Sequence, residues 1–158
     1  KPSVDLNNDS GVVINETDRV LSAKASFSYK NNLPAGTGTV YVNPFILNEL
    51  DENPFNIDIR NYPVQFPFKQ SLMYMCNLTL PENYELVELP APQRIKLPNN
   101  YGSFAYLTSN TGRNITVHVV FSIDELEVPV VHYANLKEFY NIIISRLNQP
   151  VVIRKVAR

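Results

Sequence analysis

Three Leu-Pro pairs divide the middle of the chain into short segments. They are Leu80-Pro81, Leu89-Pro90 and Leu97-Pro98, and apolar and polar residues alternate before each of them. Proline fixes φ and has no N–H, so it is tolerated at the ends and edges of strands but not inside a central strand. Each pair therefore predicts the end of a β-strand. Short strands separated by turn residues are typical of an antiparallel β-sandwich.

Alternation of apolar and polar residues predicts further strands. The longest such run covers residues 115–123 and predicts a central strand. Residues 74–80 predict a strand with one apolar face, and shorter strands are expected within residues 21–30 and 39–42. Residues 62–68 contain two prolines, so they predict an edge strand or an extended connector.

The hydrophobic period changes near the C-terminal end. Apolar residues recur there at helical spacing, namely Leu136, Phe139, Tyr140, Ile143 and Leu147. Asn148 and Pro150 predict the end of this helix, and residues 151–156, VVIRKV, predict a last strand. The segment NPFILNELDENPF, residues 43–55, is expected to be irregular or briefly helical. The expected fold is mainly β, an antiparallel β-sandwich of the immunoglobulin or fibronectin-like class with one C-terminal helix and a final strand.

Composition limits the classes of function. The chain has 158 residues, enough for one domain with a full core. Its 14 basic and 15 acidic residues give a net charge of -1, and they form no basic cluster for nucleic acid. No apolar stretch is long enough to span a bilayer, and Cys76, the one cysteine, allows no internal disulfide. The start, KPSVDLNNDS, has neither a methionine nor a signal core, so we expect a processed product or part of a longer chain.

Cys76 is the one candidate nucleophile for a cysteine hydrolase. Such a thiol must be accessible, acidic and within reach of a histidine. Cys76 instead alternates with apolar residues on a strand, which favours a place in the core. His118 falls on the polar face of the long strand and His132 at the helix start, so both are interpreted as surface or capping residues. We expect no enzyme activity, no catalytic residues and no cofactor.

The segment from Asp5 to Glu16 partly matches a calcium-binding loop. Oxygen-bearing side chains occur at alternate positions and a glutamate closes the segment, as calcium coordination requires. Ser10 replaces the glycine of the sharp turn, and neither flank has helical periodicity. Ordinary turn chemistry explains the same residues and is the preferred interpretation.

A possible interaction surface lies along the proline-rich segment at Arg60, Tyr62, Phe66 and Phe68. Arg60 could pair with a carboxylate on a neighbouring domain. The alternative is an internal ion pair, or an exposed charge that discourages strand pairing. The three rings could instead form a row that binds carbohydrate or peptide outside the cell, provided that they are exposed.

Several short motifs, in order, resemble one known family. The motifs are Asn43-Pro44-Phe45, Arg60-x-x-Pro63-Val64, Leu80-Pro81-x-x-Tyr84, Leu89-Pro90, Leu97-Pro98, Gly102-x-Phe104-x-Tyr106 and Tyr133-x-x-Leu136-Lys137-x-Phe139-Tyr140. Together they resemble the uncharacterised domain that ends certain bacterial exported proteins, after a transglutaminase-like, papain-type core. The likeness covers about residues 36–156, and residues 1–35 resemble the strands that connect that core to the end domain.

This resemblance implies two segments, residues 1–35 as connecting strands and residues 36–158 as a β-sandwich end domain with one packed helix. It also implies a periplasmic or secreted location. The family's catalytic residues belong to the preceding core, and none can be carried over to this chain. The implied role is a non-catalytic accessory or interaction module. Its partner would be the neighbouring domain of the same polypeptide or another protein.

Overall fold

The computed structural model describes residues 13–17, 20–24, 38–45, 50 and 52–156. Contacts group the chain into two units, Lys1–Ala35 and Gly36–Arg158. In the first unit, β1 (Val13–Thr17) and β2 (Val20–Lys24) form an antiparallel pair. The strand predicted within residues 21–30 is therefore found as far as Lys24, and its remainder lies outside the described residues.

The second unit contains two larger antiparallel sheets and one short strand pair. The four-stranded sheet has the order β5 (Gln70–Thr79), β9 (Asn114–Ile123), β8 (Gly102–Thr111), β7 (Gln93–Lys96). The three-stranded sheet has the order β3 (Thr39–Val42), β11 (Val151–Lys155), β6 (Tyr84–Glu88). β4 (Val64–Gln65) pairs with β10 (Glu127–Val128).

The Leu-Pro pairs end strands as predicted. β5, β6 and β7 each stop at the residue before the leucine of one pair. Leu80 and Leu97 are buried and Leu89 is partly buried against the core. The leucine therefore fixes the strand end in the core, and the proline that follows cannot extend the ladder.

The hairpin of β8 and β9 forms the centre of the larger sheet, which confirms the central strand predicted for residues 115–123. Its two-residue turn requires positive φ at Gly112, which has φ +61°. At the other end of the hairpin, a Cβ on Gly102 would lie 2.5 Å from the backbone oxygen of Ser122. Only glycine allows this close approach of the two strands.

The helix α1 (Tyr133–Leu147) buries the five apolar residues that the sequence predicted for its inner face. Its Phe139 and Tyr140 rings lie 6.2 Å and 6.0 Å from the ring of Phe121 in β9. After the helix, Asn148 donates from its backbone N–H to Ile144, and β11 follows as predicted. The predicted fold class is confirmed: the protein is mainly β, with antiparallel sheets in a sandwich-like arrangement, one C-terminal helix and a final strand.

Two copies of the tripeptide Asn-Pro-Phe shape the irregular segment before β4. In each copy the asparagine Oδ1 accepts a hydrogen bond from the phenylalanine N–H, at 2.8 Å for Asn43 and 2.9 Å for Asn53. This local bond makes an Asx turn, and it directs Phe45 and Phe55 into the core. The described residues between 43 and 55 belong to no helix or strand, in agreement with the irregular segment expected there.

Candidate functional site

Arg60 lies in the loop that precedes β4. Its Nε donates a hydrogen bond of 2.9 Å to the carbonyl oxygen of Tyr62, and its Cζ lies 5.7 Å from the centre of the Tyr133 ring. No carboxylate pairs with Arg60 among the residues that the structure describes. The two terminal nitrogens of its guanidinium group are therefore available to an external acceptor.

The start of α1 holds this loop in place. Asn53 donates to the carbonyl oxygen of Lys137 at 2.8 Å and to Asn141 Oδ1 at 2.7 Å. The Tyr133 hydroxyl donates to the carbonyl oxygen of Ile57 at 2.9 Å. Lys137 Nζ lies 2.9 Å from Asp58 Oδ1, and this hydrogen bond and the positive charge of Lys137 lower the pKa of the Asp58 carboxyl. The loop is thus bound to the helix through side chains and backbone groups.

Three apolar side chains in the two segments that meet at Arg60 and Tyr133 are strongly exposed. They are Ile59, Tyr62 and Val131, with exposed fractions of 83%, 78% and 78%. Val64 pairs with Val128, so the antiparallel register places Tyr62 and the residues after Val128 at the same end of the β4–β10 pair. We call Ile59, Arg60, Tyr62 and Val131 the end patch.

The two other aromatic residues of the predicted surface lie elsewhere. Phe66 is partly buried, and its ring meets that of Phe55 edge-on at 6.3 Å. Phe68 is 64% exposed and lines an apolar cavity. Tyr62 and Phe68 are therefore exposed, but the ring between them packs inward, so the three do not form a continuous row.

The cavity beside Phe68 has a volume of about 650 Å³ and lies between the four-stranded sheet and α1. Its wall is mainly apolar and includes Phe45, Phe121, Ile143 and Leu147. Lys69, at its edge, lies 3.8 Å from Glu125, so the charge there is largely neutralised. Such a wall suits an apolar group more than a sugar, which needs several polar partners.

Comparison with models of protein families matches residues 38–153 to a domain of unknown function with solved structure, DUF3858. The chain belongs to this family. No curated protein matches it significantly.

One similar solved structure is that of a protein from Parabacteroides distasonis ATCC 8503 described as a "putative protease". The TM-score is 0.53 at 14% identity, and the match covers 63% of this chain and 20% of that chain. This likeness concerns the fold alone. The present chain thus corresponds to only a small part of that longer protein.

Cys76 of this DUF3858 domain lies on the inner face of β5, where it is partly buried. Burial raises the pKa of its thiol, and a hydrogen bond with Tyr74 opposes the shift in part. A nucleophilic cysteine needs the opposite shift. His118 is paired with Met75 rather than with Cys76, so it lies on the other face of the sheet. The described residues include no group of three or more His, Cys, Asp or Glu that could hold a metal ion.

The two histidines differ in detail from the sequence interpretation. His118 is on the polar face of β9 as predicted, but it is partly buried, and its Nε2 is enclosed without a partner among the described residues. His132 occupies the position before α1 without a side-chain capping bond. Its Nε2 instead lies 3.0 Å from Asn99 Nδ2, and its ring is 5.4 Å from that of Tyr101.

Sequence reasoning missed two exposed features of the DUF3858 domain. Ile59 and Val131 carry no pattern that distinguishes them from core residues. Met73 and Met75 lie on the outer face of β5, with exposed fractions of 71% and 58%. A signal was present, because two methionines on the polar face of a strand are unusual for a surface in water.

The segment from Asp5 to Val12, which contains most of the partial match to a calcium-binding loop, lies outside the described residues. In the part of the chain that is described, no helix is long and apolar enough to cross a membrane.

Proposed function

We propose that this DUF3858 domain is a non-catalytic accessory module of a longer, periplasmic or secreted protein, and that it binds the transglutaminase-like domain next to it. Family membership and the resemblance of the motifs support this role. The similar solved structure also supports it, because the match covers only 20% of that chain. The end patch is the observation that carries the proposal.

The end patch has the composition of a protein-binding site. Apolar side chains of Ile59, Tyr62 and Val131 are exposed in the two segments that meet where Arg60 contacts Tyr133. Tyrosine and arginine are, with tryptophan, the residues that most often dominate binding energy at interfaces. The loop beneath them is already bound to α1, so little conformational entropy is lost on docking.

Arg60 defines the chemistry of the partner surface. Its Nε is satisfied by Tyr62, and its Cζ lies 5.7 Å from the centre of the Tyr133 ring. The terminal nitrogens can then donate to both oxygens of one carboxylate. We therefore expect an Asp or Glu on the neighbouring domain, surrounded by apolar side chains that cover Ile59 and Val131.

The test is a binding measurement between this chain and the segment encoded next to it, made by isothermal titration calorimetry. The unchanged chain should bind. Arg60→Ala and Tyr62→Ala should each weaken binding by about ten- to a hundred-fold, as expected for residues that dominate an interface. Arg94→Ala is the matched control, because Arg94 is an exposed arginine on β7, at the edge of the four-stranded sheet, and does not belong to the end patch.

Thermal unfolding of the isolated Tyr62 and Arg94 variants should match that of the unchanged chain, since both side chains are exposed. The Arg60 variant should unfold at a slightly lower temperature, because it loses the hydrogen bond to Tyr62 and the contact with the Tyr133 ring. Absence of binding by the unchanged chain would rule out the accessory role. Equal losses for Arg60→Ala and Arg94→Ala would show that binding does not depend on the end patch.

A further inference from the structure

The strand β5 is an edge of the four-stranded sheet along its whole length. All ten of its residues, Gln70 to Thr79, pair with β9, from Gln70 opposite Ile123 to Thr79 opposite Asn114. Within the described ranges, no strand pairs with its other side. Backbone N–H and C=O groups therefore face outward along this edge, and they can bond to another strand.

The sequence of β5 and its register with β9 lack the features by which natural edge strands avoid such pairing. Its sequence, QSLMYMCNLT, contains no charged residue and no proline, and its register with β9 has no bulge. Proteins commonly protect edges with lysine, proline, bulges or short strands. The opposite edge of the same sheet is protected in this way, because β7 has four residues and carries Arg94 and Lys96 on its exposed face. The difference makes β5 an open pairing surface.

Apolar side chains are exposed on both faces of β5. Met73 and Met75 are 71% and 58% exposed on the outer face. Tyr74, Cys76 and Leu78 are only partly covered on the inner face. A strand added to this edge would bury apolar surface on both faces and satisfy the outward backbone groups together.

We propose that β5 pairs with β5 of a second copy of this chain, antiparallel and about a two-fold axis. The two four-stranded sheets then join into one continuous sheet across the dimer. A self-complementary edge suits a two-fold interface, because the same residues supply both sides. The absence of charge removes like-charge repulsion between the two copies.

The positions of the methionines select one register. Directly opposed residues of antiparallel strands lie on the same face of the sheet. In a two-fold dimer, one residue of β5 must therefore lie on the axis, opposite the same residue of the other copy. Centring on Tyr74 places Met73 of each copy opposite Met75 of the other. Centring on Met73 or Met75 would instead place one methionine opposite Ser71 or Asn77. The register centred on Tyr74 therefore gives the best match of exposed apolar side chains.

Sedimentation equilibrium of the 158-residue chain tests this dimer. The unchanged chain should form dimers in the micromolar concentration range. Met73→Lys with Met75→Lys places lysine opposite lysine twice and should weaken dimerisation by at least about ten-fold. Met73→Lys with Met75→Glu places lysine opposite glutamate twice in the same register, and it should restore most of the affinity. Ser109→Lys is the control, because Ser109 is exposed on the same face of the sheet but on β8, separated from β5 by β9.

Circular dichroism and thermal unfolding should show that all variants fold, because the substituted methionines are exposed. A chain that stays monomeric over the micromolar range would overturn the proposal, and the partner of β5 would then be a strand from another protein. A dimer that tolerates the double lysine variant, or that Ser109→Lys disrupts equally, would place the interface elsewhere. A lysine–glutamate variant no better than the double lysine variant would exclude the register centred on Tyr74. The end patch takes no part in this test, so its outcome is independent of the proposed docking function.

Discussion

At the residue scale, two tyrosines of the larger sheet differ in what their hydroxyl groups contact. The Tyr74 hydroxyl donates to the carbonyl oxygen of Pro44 at 2.6 Å. The Tyr106 side chain is fully buried, and its hydroxyl has no partner among the described residues. A buried hydroxyl without a partner loses its bonds to water and gains nothing in return. We therefore expect the Tyr106 hydroxyl to offset part of the stability that its buried ring contributes.

This difference predicts opposite effects of removing each hydroxyl. Tyr106→Phe should leave the free energy of unfolding unchanged or raise it by up to about 1 kcal/mol, because an unsatisfied group is removed. Tyr74→Phe should lower it by about 1 kcal/mol, because a hydrogen bond is lost and the Pro44 carbonyl is left without this donor. Urea denaturation of the two variants measures both changes. A larger loss for Tyr106→Phe than for Tyr74→Phe would contradict this account.

Sequence analysis could predict which rings are buried, but not which hydroxyl groups are paired. The burial of Phe104, Tyr106 and Phe121 follows from alternation within single strands. The Tyr74 hydroxyl bond depends on Pro44, which is 30 residues away in the chain. The exposure of Ile59 and Val131 likewise depends on which elements cover them. Such facts arise from tertiary packing, which local patterns do not encode.

At the element scale, the two Asn-Pro-Phe turns look alike locally but differ in how they are attached. Within the described part of the chain, Asn43 makes only the turn bond to Phe45. Asn53 makes the same bond to Phe55 and also donates to the carbonyl oxygen of Lys137 and to the side chain of Asn141. The second turn therefore connects its loop to α1 as well as directing a ring into the core.

We expect Asn53→Ala to cost more than Asn43→Ala. Loss of the single turn bond at Asn43 should lower the free energy of unfolding by about 1 kcal/mol. Loss of three bonds at Asn53, one of them to a backbone carbonyl, should lower it by about 2 to 3 kcal/mol. Guanidinium denaturation gives both values, and hydrogen exchange should show faster exchange in residues 53–60 of the Asn53 variant alone. Equal costs would mean that the contacts with α1 do not hold the loop.

Strands and the helix were predictable where the signal lies within a few neighbouring residues. The ends of β5, β6 and β7 follow from three prolines, and α1 follows from the spacing of its apolar residues. The open edge of β5 was not predicted, because edge position depends on strand order. Local signs were limited to the lack of charge and proline in its sequence and the two methionines on its polar face.

At the scale of the whole molecule, the ionisation of three tyrosines makes the free energy of unfolding depend on pH in the alkaline range. Burial raises the pKa of Tyr74, Tyr106 and Tyr140 to about 12, from an ordinary value of 10.0. These residues belong to β5, β8 and α1, so they report on both sides of the packing between the sheet and the helix. At a pH between 10 and about 12, these three hydroxyl groups therefore stay protonated in the folded protein but lose their protons in the unfolded chain.

The sign of this effect predicts alkaline destabilisation. The stabilisation is fully present below pH 10, and it is lost as the pH rises through the folded-state value of about 12. The free energy of unfolding, measured in urea at successive pH values, should therefore fall steadily above pH 10. The ultraviolet absorbance of tyrosinate should show a late step in buffer that disappears in concentrated urea. Tyr106→Phe should reduce the amplitude of that step by about one third and make the fall in stability shallower, since one of the three linked groups is gone. Stability that is independent of pH above 10, or an unchanged late step in the Tyr106 variant, would mean that these hydroxyl groups are open to solvent in solution.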